Sequence, residues 1–397
     1  MKNLFASRIN TIPKSFIREI LKVTQNPDMI SFAGGLPNPR FFPVREIKET
    51  TLDVLAGTDV SALQYSTTEG YQPLREYIAK RYQKRKLSIT ADEILITNGS
   101  QQGLDLIGKV FINKGDRIAI EKPAYLGAIQ AFSVYEPQFC PIPLLNDGVD
   151  INRLETELSV NSVKLFHTVI NFQNPSGITY SENKRRELTE LLKQHNTIAV
   201  EDDPYSDLRF SGTAPQSMRS RLNGKVILLG SFSKTIAPGL RLGWICAKRE
   251  IMDKLVTAKQ ASDLHSNSLC QKIVHQYLIN NDVDKHIETI INVYKKQRDV
   301  MITAIDENFP SEVIFTKPEG GMFLWVTLPE QLSALELFKL AVKENVAFVP
   351  GTPFYVDNGG KNNMRLNFSN ADENTIKEGI KRLGLIIRKL LVKKNVE

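Results

Sequence analysis

Cysteine is scarce: the 397 residues contain three, Cys140, Cys246 and Cys270, odd in number and far apart. Such usage supports neither a disulfide framework nor a zinc site, so no metal is expected, and it favours a reducing compartment. Long apolar runs are also missing, and no stretch approaches the roughly 20 apolar residues that a membrane span requires. The opening "MKNLFASRIN" has neither the apolar core nor the cleavage site of a secretory leader. The expectation is a cytoplasmic chain without a membrane partner. Internal repeats, zinc-finger spacings and RNA-binding signatures are absent as well. The formal charge of +7 is scattered among acids except near the end, in "KRLGLIIRKLLVKKNVE". That tail reads as an amphipathic helix: Asn370 is a candidate cap, Asp372 and Glu373 suit the first turn, and Ile376, Ile380, Leu383 and Ile387 recur at helical spacing. A solvated helix face explains its lysines, and no nucleic-acid partner is expected.

What is present is ordinary globular composition, 42% hydrophobic and 24% charged, in a length that suits two or three domains. Between about residues 90 and 250, short β-rich runs alternate with amphipathic stretches, which predicts an α/β fold with a mainly parallel sheet between helices. The runs are "EILITNG", "DRIAIEKP", "VKLFHTVINFQNP", "TIAVEDDPY", "KVILLGSFSK" and "LGWICAK". Most give way to glycine, proline or polar side chains at their carboxyl ends, where open α/β sheets bind ligands. Further on, helical stretches from about Arg249 to Asn308 lead to strand-like "GGMFLWVTLP" and "NVAFVPG". The expected organisation is an N-terminal segment over 1–45, a large domain over 46–280 with a seven-stranded sheet, and a smaller α+β domain over 281–397.

Several strand ends carry candidate chemistry. In "TNGSQQGLDLIGKVF" a strand ends at Asn98, Gly99 relaxes the backbone, and Leu104, Ile107 and Phe111 mark the helix that follows. Its first amides, with Ser100 and Gln101, suit a phosphate, although a plain N-cap accounts for the same residues. In "EDDPY" a buried carboxylate would need a cationic partner, or Asp202 and Asp203 serve only the turn before Pro204. "NPSG", from Asn174 to Gly177, is a good turn by composition. The fourth segment is "GSFSKTIAPGLRLGW", where Lys234 follows a strand and precedes an apolar run. A partly desolvated ammonium there loses its proton easily and becomes an amine nucleophile for carbonyl carbon. Ser231, Ser233 and Arg241 around it suit a phosphate dianion. An amine nucleophile beside a phosphate surface points to pyridoxal phosphate.

Taken in order, "SFAGGLPNP", "YSTTEGYQPLRE", "NGSQQGLDL", "NPSG", "EDDPY", "SFSKTIAPGLRLGW" and "MRLNFS" resemble the fold-type I pyridoxal-phosphate aminotransferases of class I/II. The pattern is most similar to the branch with kynurenine, α-aminoadipate and archaeal or bacterial aromatic aminotransferases. The resemblance implies that Lys234 links to the cofactor aldehyde and that Asp202 pairs with the pyridine nitrogen. It implies that Tyr205 and Asn174 hydrogen-bond the ring's phenolic oxygen and that Tyr125 stacks on the ring. Ser100, Gln101, Ser231, Ser233 and Arg241 would share the phosphate with Tyr65, which in the family comes from the neighbouring subunit, so a homodimer is implied. Arg365 in "NMRLNFS" would clamp the substrate α-carboxylate, and Gly35 would let the N-terminal segment close over the ligand.

The implied reaction moves an amino group from an α-amino acid to a 2-oxo acid such as 2-oxoglutarate, in two half-reactions with Lys234 as base and acid. A lyase or decarboxylase of the same fold is the rival, since the outcome depends on which Cα bond stands perpendicular to the ring. Some transcription factors retain this lysine, but about thirty residues before "SFAGGLP" are too few for a helix-turn-helix unit and linker. Side-chain preference stays open among aromatic, aminoadipate-like and branched substrates. Arg18 in "IPKSFIREILKVTQ" is read as a helix-face residue rather than as a ligand for an acidic side chain.

Overall fold

The computed structural model describes residues 4–10, 26, 28–56, 60–160, 162–222 and 224–396. Fourteen strands in chain order form three sheets among them. Strand β1 is Ile30–Ser31. The large sheet comprises β2 (Ile94–Thr97), β3 (Arg117–Lys122), β4 (Gln138–Leu145), β5 (Gly148–Val149), β6 (Val163–Thr168), β7 (Ile198–Asp202), β8 (Val226–Ser231) and β9 (Gly243–Cys246). The remainder are β10 (Ile314–Phe315), β11 (Phe323–Thr327), β12 (Val346–Ala347), β13 (Val349–Pro350) and β14 (Asn363–Asn367).

The large sheet runs in the order β2-β9-β8-β7-β6-β3-β4-β5. Strands β8, β7, β6, β3 and β4 are mutually parallel, and β9 lies antiparallel to both β8 and β2. The expected α/β architecture is therefore present, with eight strands instead of seven. The addition is β5, a two-residue strand that folds back on the end of β4. It is too short to show any alternation that sequence could reveal. Strands β2 and β8 are buried at every position, which requires cover on both faces. Helices Ser100–Phe111, Leu126–Ser133 and Arg249–Asp263 supply apolar residues to one cluster against the sheet, and helices Ile151–Val160 and Glu182–Gln194 to another.

A second antiparallel sheet, β10-β11-β14-β13, shares a core with helix Glu373–Val396 and most of helix Val283–Asn308. Strand β1 pairs in parallel with β12, which brings the segment leading to Gly35 beside this sheet. Helix Val283–Asn308 serves two cores. Its Val283 and Ile287 join the cluster built on helix Gln72–Lys84, whereas Ile290, Tyr294, Met301 and Ile305 join the core of the second sheet.

The C-terminal helix starts later than the sequence suggested. Thr375 N–H donates to Asp372 Oδ1 at 2.9 Å, so Asp372 is the cap and Asn370 lies outside the helix. Ile376, Ile380, Leu383 and Ile387 are fully buried, as their spacing required. Among the described residues no helix is long and apolar enough to cross a membrane.

Candidate active site

A cleft of about 380 Å³ opens beyond the carboxyl ends of β7 and β8, where the second sheet faces the first. Thirteen positions were singled out from the sequence, and twelve of them line it: all except Tyr65. The large sheet contributes residues from the segments after β2, β3, β6, β7 and β8. Strand β7 ends in "ED" with Asp203 next, and the alternation along this stretch sends the three carboxylates to different neighbours. Glu201 Oε2 accepts from the Ser217 hydroxyl at 2.8 Å, and Asp203 Oδ1 accepts from Asn171 Nδ2 at 2.9 Å. Asp202, between them, lines the cleft at 1% exposure, and its Oδ1 has no hydrogen-bond partner among the described residues. A buried carboxylate oxygen left bare is costly unless a ligand completes it.

Lys234 stands three residues beyond β8. Its Nζ donates to the Gly35 carbonyl at 2.9 Å, which ties the N-terminal segment to the strand end. Desolvation pushes its pKa down to about 8, and the Arg365 and Arg241 cations push in the same direction. A sizeable minority of the amine is therefore neutral near physiological pH, far more than for an ordinary lysine, and the neutral form is the nucleophile.

Across the cleft, Arg365 sits at the middle of β14, opposite Trp325 on β11 and Val349 on β13. Its guanidinium is only 2% exposed, and it lies 4.3 Å from the ring centre of Phe323 and 5.3 Å from that of Phe354. Nη1 donates to Asn174 Oδ1 at 2.9 Å and Nη2 to the Ala33 carbonyl at 2.8 Å, while Nε has no partner among the described residues. Burial lowers its pKa to about 10, still high enough to keep the cation at neutral pH. Asn174 in turn donates from Nδ2 to the Tyr205 hydroxyl at 3.4 Å. Burial pushes the Tyr205 phenol upward, with Tyr125 adding to the effect, and burial pushes Tyr125 up to about 12. Both stay protonated and able to donate.

The opposite end of the cleft is a cup of small residues and donors. Helix Ser100–Phe111 starts there, so its first amides are free of intrahelical partners. Gly99 adopts φ 77°, and a Cβ there would come within 2.6 Å of Arg241 Nη2. A Cβ on Gly243 would lie 2.7 Å from Ser100 N. Arg241 itself is left-handed, at φ 51°, a conformation that costs a non-glycine residue roughly 1 kcal/mol. In return its Nη2 reaches the Asn98 carbonyl at 3.2 Å, beside the helix start. Ser233 N–H donates to Ser231 Oγ at 3.1 Å, and Gln101 Nε2 to the Gly127 carbonyl at 2.9 Å.

Tyr65 is elsewhere. It is 78% exposed, its ring meets the edge of His265, and the Ser66 N–H donates to His265 Nε2 at 3.2 Å. Arg18 lies outside the described residues. Other participants escaped the sequence reading. His167 on β6 is fully buried with Nε2 3.6 Å from Asp202 Oδ2, behind the carboxylate. Leu36 and Gln130 also line the cleft, and Phe323 and Phe354 flank Arg365. No motif announced them; only the "FHT" inside an apolar strand run, a polar residue where the strand is buried, marked His167 as unusual.

An amine with a depressed pKa, a bare buried carboxylate oxygen and an anion cup at a helix start, gathered on a doubly covered parallel sheet, define a pyridoxal-phosphate-dependent transferase of fold type I. The chain belongs to the aminotransferase class I and II family, whose pattern matches residues 28–383. It is 45% identical over 396 residues to the aromatic-amino-acid aminotransferase 1 of Thermococcus litoralis, covering 98% of this chain and 95% of that one. It is 41% identical to the 2-aminoadipate transaminase of Thermus thermophilus, covering 98% and 97%. The crystal structure of Pyrococcus horikoshii kynurenine aminotransferase, in complex with PMP, superposes with a TM-score of 0.94 at 44% identity over 98% of each chain. This chain is an aminotransferase, and its cofactor is pyridoxal phosphate.

The cleft fits that group by its own geometry. Asp202 Oδ1 is an orphaned acceptor, and the cup at Gly99 and Gly243 is space that a Cβ would fill.

Proposed function

We propose that this aminotransferase takes its amino group from an α-amino acid with an aromatic or 2-aminoadipate-like side chain and delivers it to a 2-oxo acid such as 2-oxoglutarate, in a ping-pong cycle. The relatives' names supply the side-chain classes. The observation that carries the reading is the convergence of Lys234, Asp202 and Arg365 on one cleft.

Bound there, pyridoxal phosphate supplies an aldehyde that condenses with amines and a protonated ring that withdraws electrons. Asp202 would face the ring nitrogen and keep it protonated, Tyr205 and Asn174 would donate to the phenolic oxygen, and Tyr125 would cover the ring. Ser100, Gln101, Ser231, Ser233 and Arg241 would hold the phosphate. Lys234 would hold the aldehyde covalently, and its Nζ would serve as the base that removes the substrate Cα proton and as the acid that delivers it to the cofactor rather than back to Cα. Arg365 holds the α-carboxylate through its planar fork, with Asn174 and the glycine at position 35 beside it. Because that fork is fixed by Asn174, Ala33 and two aromatic rings, the carboxylate is restrained and the C–C bond to it is protected. That restraint favours amino transfer over decarboxylation.

The same reading makes the protein a homodimer. Tyr65 reaches no part of its own cleft, and apolar Leu52, Val60 and Leu63 lie exposed on the segments before it. Tyr65 of the partner subunit would complete the phosphate cup. The division into 1–45, 46–280 and 281–397 is supported by the β1–β12 pairing and by the core that the second sheet shares with helix Glu373–Val396, while Val283 and Ile287 pack into a core of the large domain and Val169, Phe172, Tyr205, Leu208 and Phe210 into that of the small one. A cytoplasmic location is supported by three free thiols, two of them buried.

A panel of amino donors assayed with 2-oxoglutarate tests the reading. Glutamate should form together with the donor's oxo acid, fastest for aromatic or aminoadipate donors. Release of carbon dioxide or ammonia in place of glutamate would overturn it.

A further inference from the structure

Behind the phosphate cup lies a polar cluster that none of the roles above uses. Lys259, on helix Arg249–Asp263, has a side chain with 0% exposure. Its Nζ donates to Gln102 Oε1 at 2.9 Å and to Asp263 Oδ1 and Oδ2 at 3.0 and 3.2 Å. The same two partners grip the turn that opens the cup. Gln102 Oε1 also accepts the Asn98 N–H at 2.8 Å, Gln102 Nε2 donates to Asp263 Oδ2 at 2.6 Å, and Asn98 Nδ2 donates to Asp263 Oδ2 at 2.7 Å. Asn98 is thus held by its amide, its side chain and, through Arg241, its carbonyl.

A helix-stabilising role explains this cluster poorly. Asp263 occupies the last turn of its helix, the end where the macrodipole disfavours an anion. Burying an ammonium for an i,i+4 pair gains little stability, since desolvation offsets the attraction. Apolar residues at 259 and 263 would fill the space, but they would leave Asn98 and Gln102 without partners at the point where Gly99 and Ser100 follow. The cost is understandable if the cluster fixes that turn.

We propose that Lys259, with Asp263 and Gln102, positions the Asn98–Gln102 turn and so sets the protein's affinity for the phosphate of its cofactor. The proposal rests on the reading of Ser100, Gln101 and Arg241 as the phosphate cup. Lys259 does not line the cleft and acts through the turn alone.

The test compares two aldehydes that differ only in the phosphate. Apoenzyme prepared from the purified holoenzyme, from its Lys259→Met variant and from its Asp263→Asn variant is titrated with pyridoxal phosphate and with pyridoxal, read by protein fluorescence. Both variants should bind pyridoxal phosphate about tenfold or more weakly than the parent, the usual cost of leaving buried partners unsatisfied. Their affinity for pyridoxal should be unchanged. The Asp263→Asn change is isosteric and keeps the test available should Lys259→Met fail to fold. Equal weakening toward both aldehydes would show a merely structural cluster, and no weakening toward either would show that the turn needs no support; each overturns the proposal. Should the parent itself bind pyridoxal as tightly as pyridoxal phosphate, the phosphate-cup reading fails first.

Discussion

Arg365 Nη1 and Asn174 Oδ1 are joined by a 2.9 Å hydrogen bond, and the same amide donates onward to the Tyr205 hydroxyl. One asparagine therefore connects the group proposed to meet the substrate carboxylate with the group proposed to meet the ring oxygen. Replacing Asn174 with alanine should disturb both ends, raising KM for the amino donor and shifting the pH dependence of cofactor absorbance. Tyr205→Phe should shift the absorbance profile with a smaller change in KM. Each lost bond should cost roughly tenfold. Steady-state kinetics with a spectral pH titration of the two variants checks the split; identical profiles would refute it.

Arg365→Lys should be a severe change. A lysine keeps the charge but loses the fork, the bonds to Asn174 and Ala33, and the stacking on Phe323. A fall in kcat/KM of about a hundredfold is expected for both the amino and the oxo substrate, the scale of truncating a buried, hydrogen-bonded charge. Amines lacking an α-carboxylate should lose far less between parent and variant.

The depressed pKa of Lys234 sets a rate. Capture of pyridoxal phosphate by the apoenzyme requires the neutral amine, so the rate should rise with pH and level off above about 8, not near the 10.5 of an ordinary lysine. Stopped-flow absorbance at a series of pH values measures it. Borohydride reduction of the holoenzyme should place the label on Lys234, and Lys234→Ala should take up none.

Glu201 gives stability a pH dependence of opposite character to a salt-bridged acid. Burial, with Asp203 adding, pushes its carboxyl up to about 7 from an ordinary 4.5. Between those values the folded chain retains a proton that the unfolded chain has released, so this group's contribution declines as pH rises through the window. Glu201→Gln, which keeps the acceptor for Ser217, should flatten that decline and stabilise the protein at pH 8 by at most on the order of 3 kcal/mol. Denaturant melts at several pH values provide the check, and parallel curves for parent and variant would contradict it.

The proposed sharing of sites between two subunits predicts complementation. Lys234→Ala and Tyr65→Ala subunits, each poorly active alone, should regain activity on mixing after dissociation. In a mixed dimer one cleft carries both changes and the other carries neither, so random exchange restores roughly one site in four. Mixtures no better than their parts would exclude a contribution of Tyr65 to the neighbouring cleft.

The sequence disclosed the parallel core and most of the cleft for one physical reason: chain turns at strand ends must use glycine, proline and polar residues, so "NGSQQ", "NPSG", "EDDPY" and "SFSK" remain visible as segments. Arg365 was recognisable only through resemblance, because its importance depends on the register of β14 against β11, set by residues some forty positions away. Phe323 stayed hidden in a strand whose apolar character burial alone explains, Phe354 in a short turn, and His167 showed only as one polar residue inside an apolar strand run. The eighth strand was missed because two residues carry no period. Asn370 gave way to Asp372 as a cap because both are good cap residues, and composition does not choose between them.

The long helix Val283–Asn308, about 39 Å from end to end, has one further mechanical consequence. Ile287 packs in one core and Ile290, on the same turn, in the other, so both cores are fastened to a single turn of that rod. Thr289 lies within it, its hydroxyl bonded to the Lys285 carbonyl at 3.1 Å, an arrangement that loosens a helix and lets it flex. That turn therefore joins the core holding Phe232 and Ile236, on either side of Lys234 in the sequence, to the core holding Met364 and Leu366, on either side of Arg365.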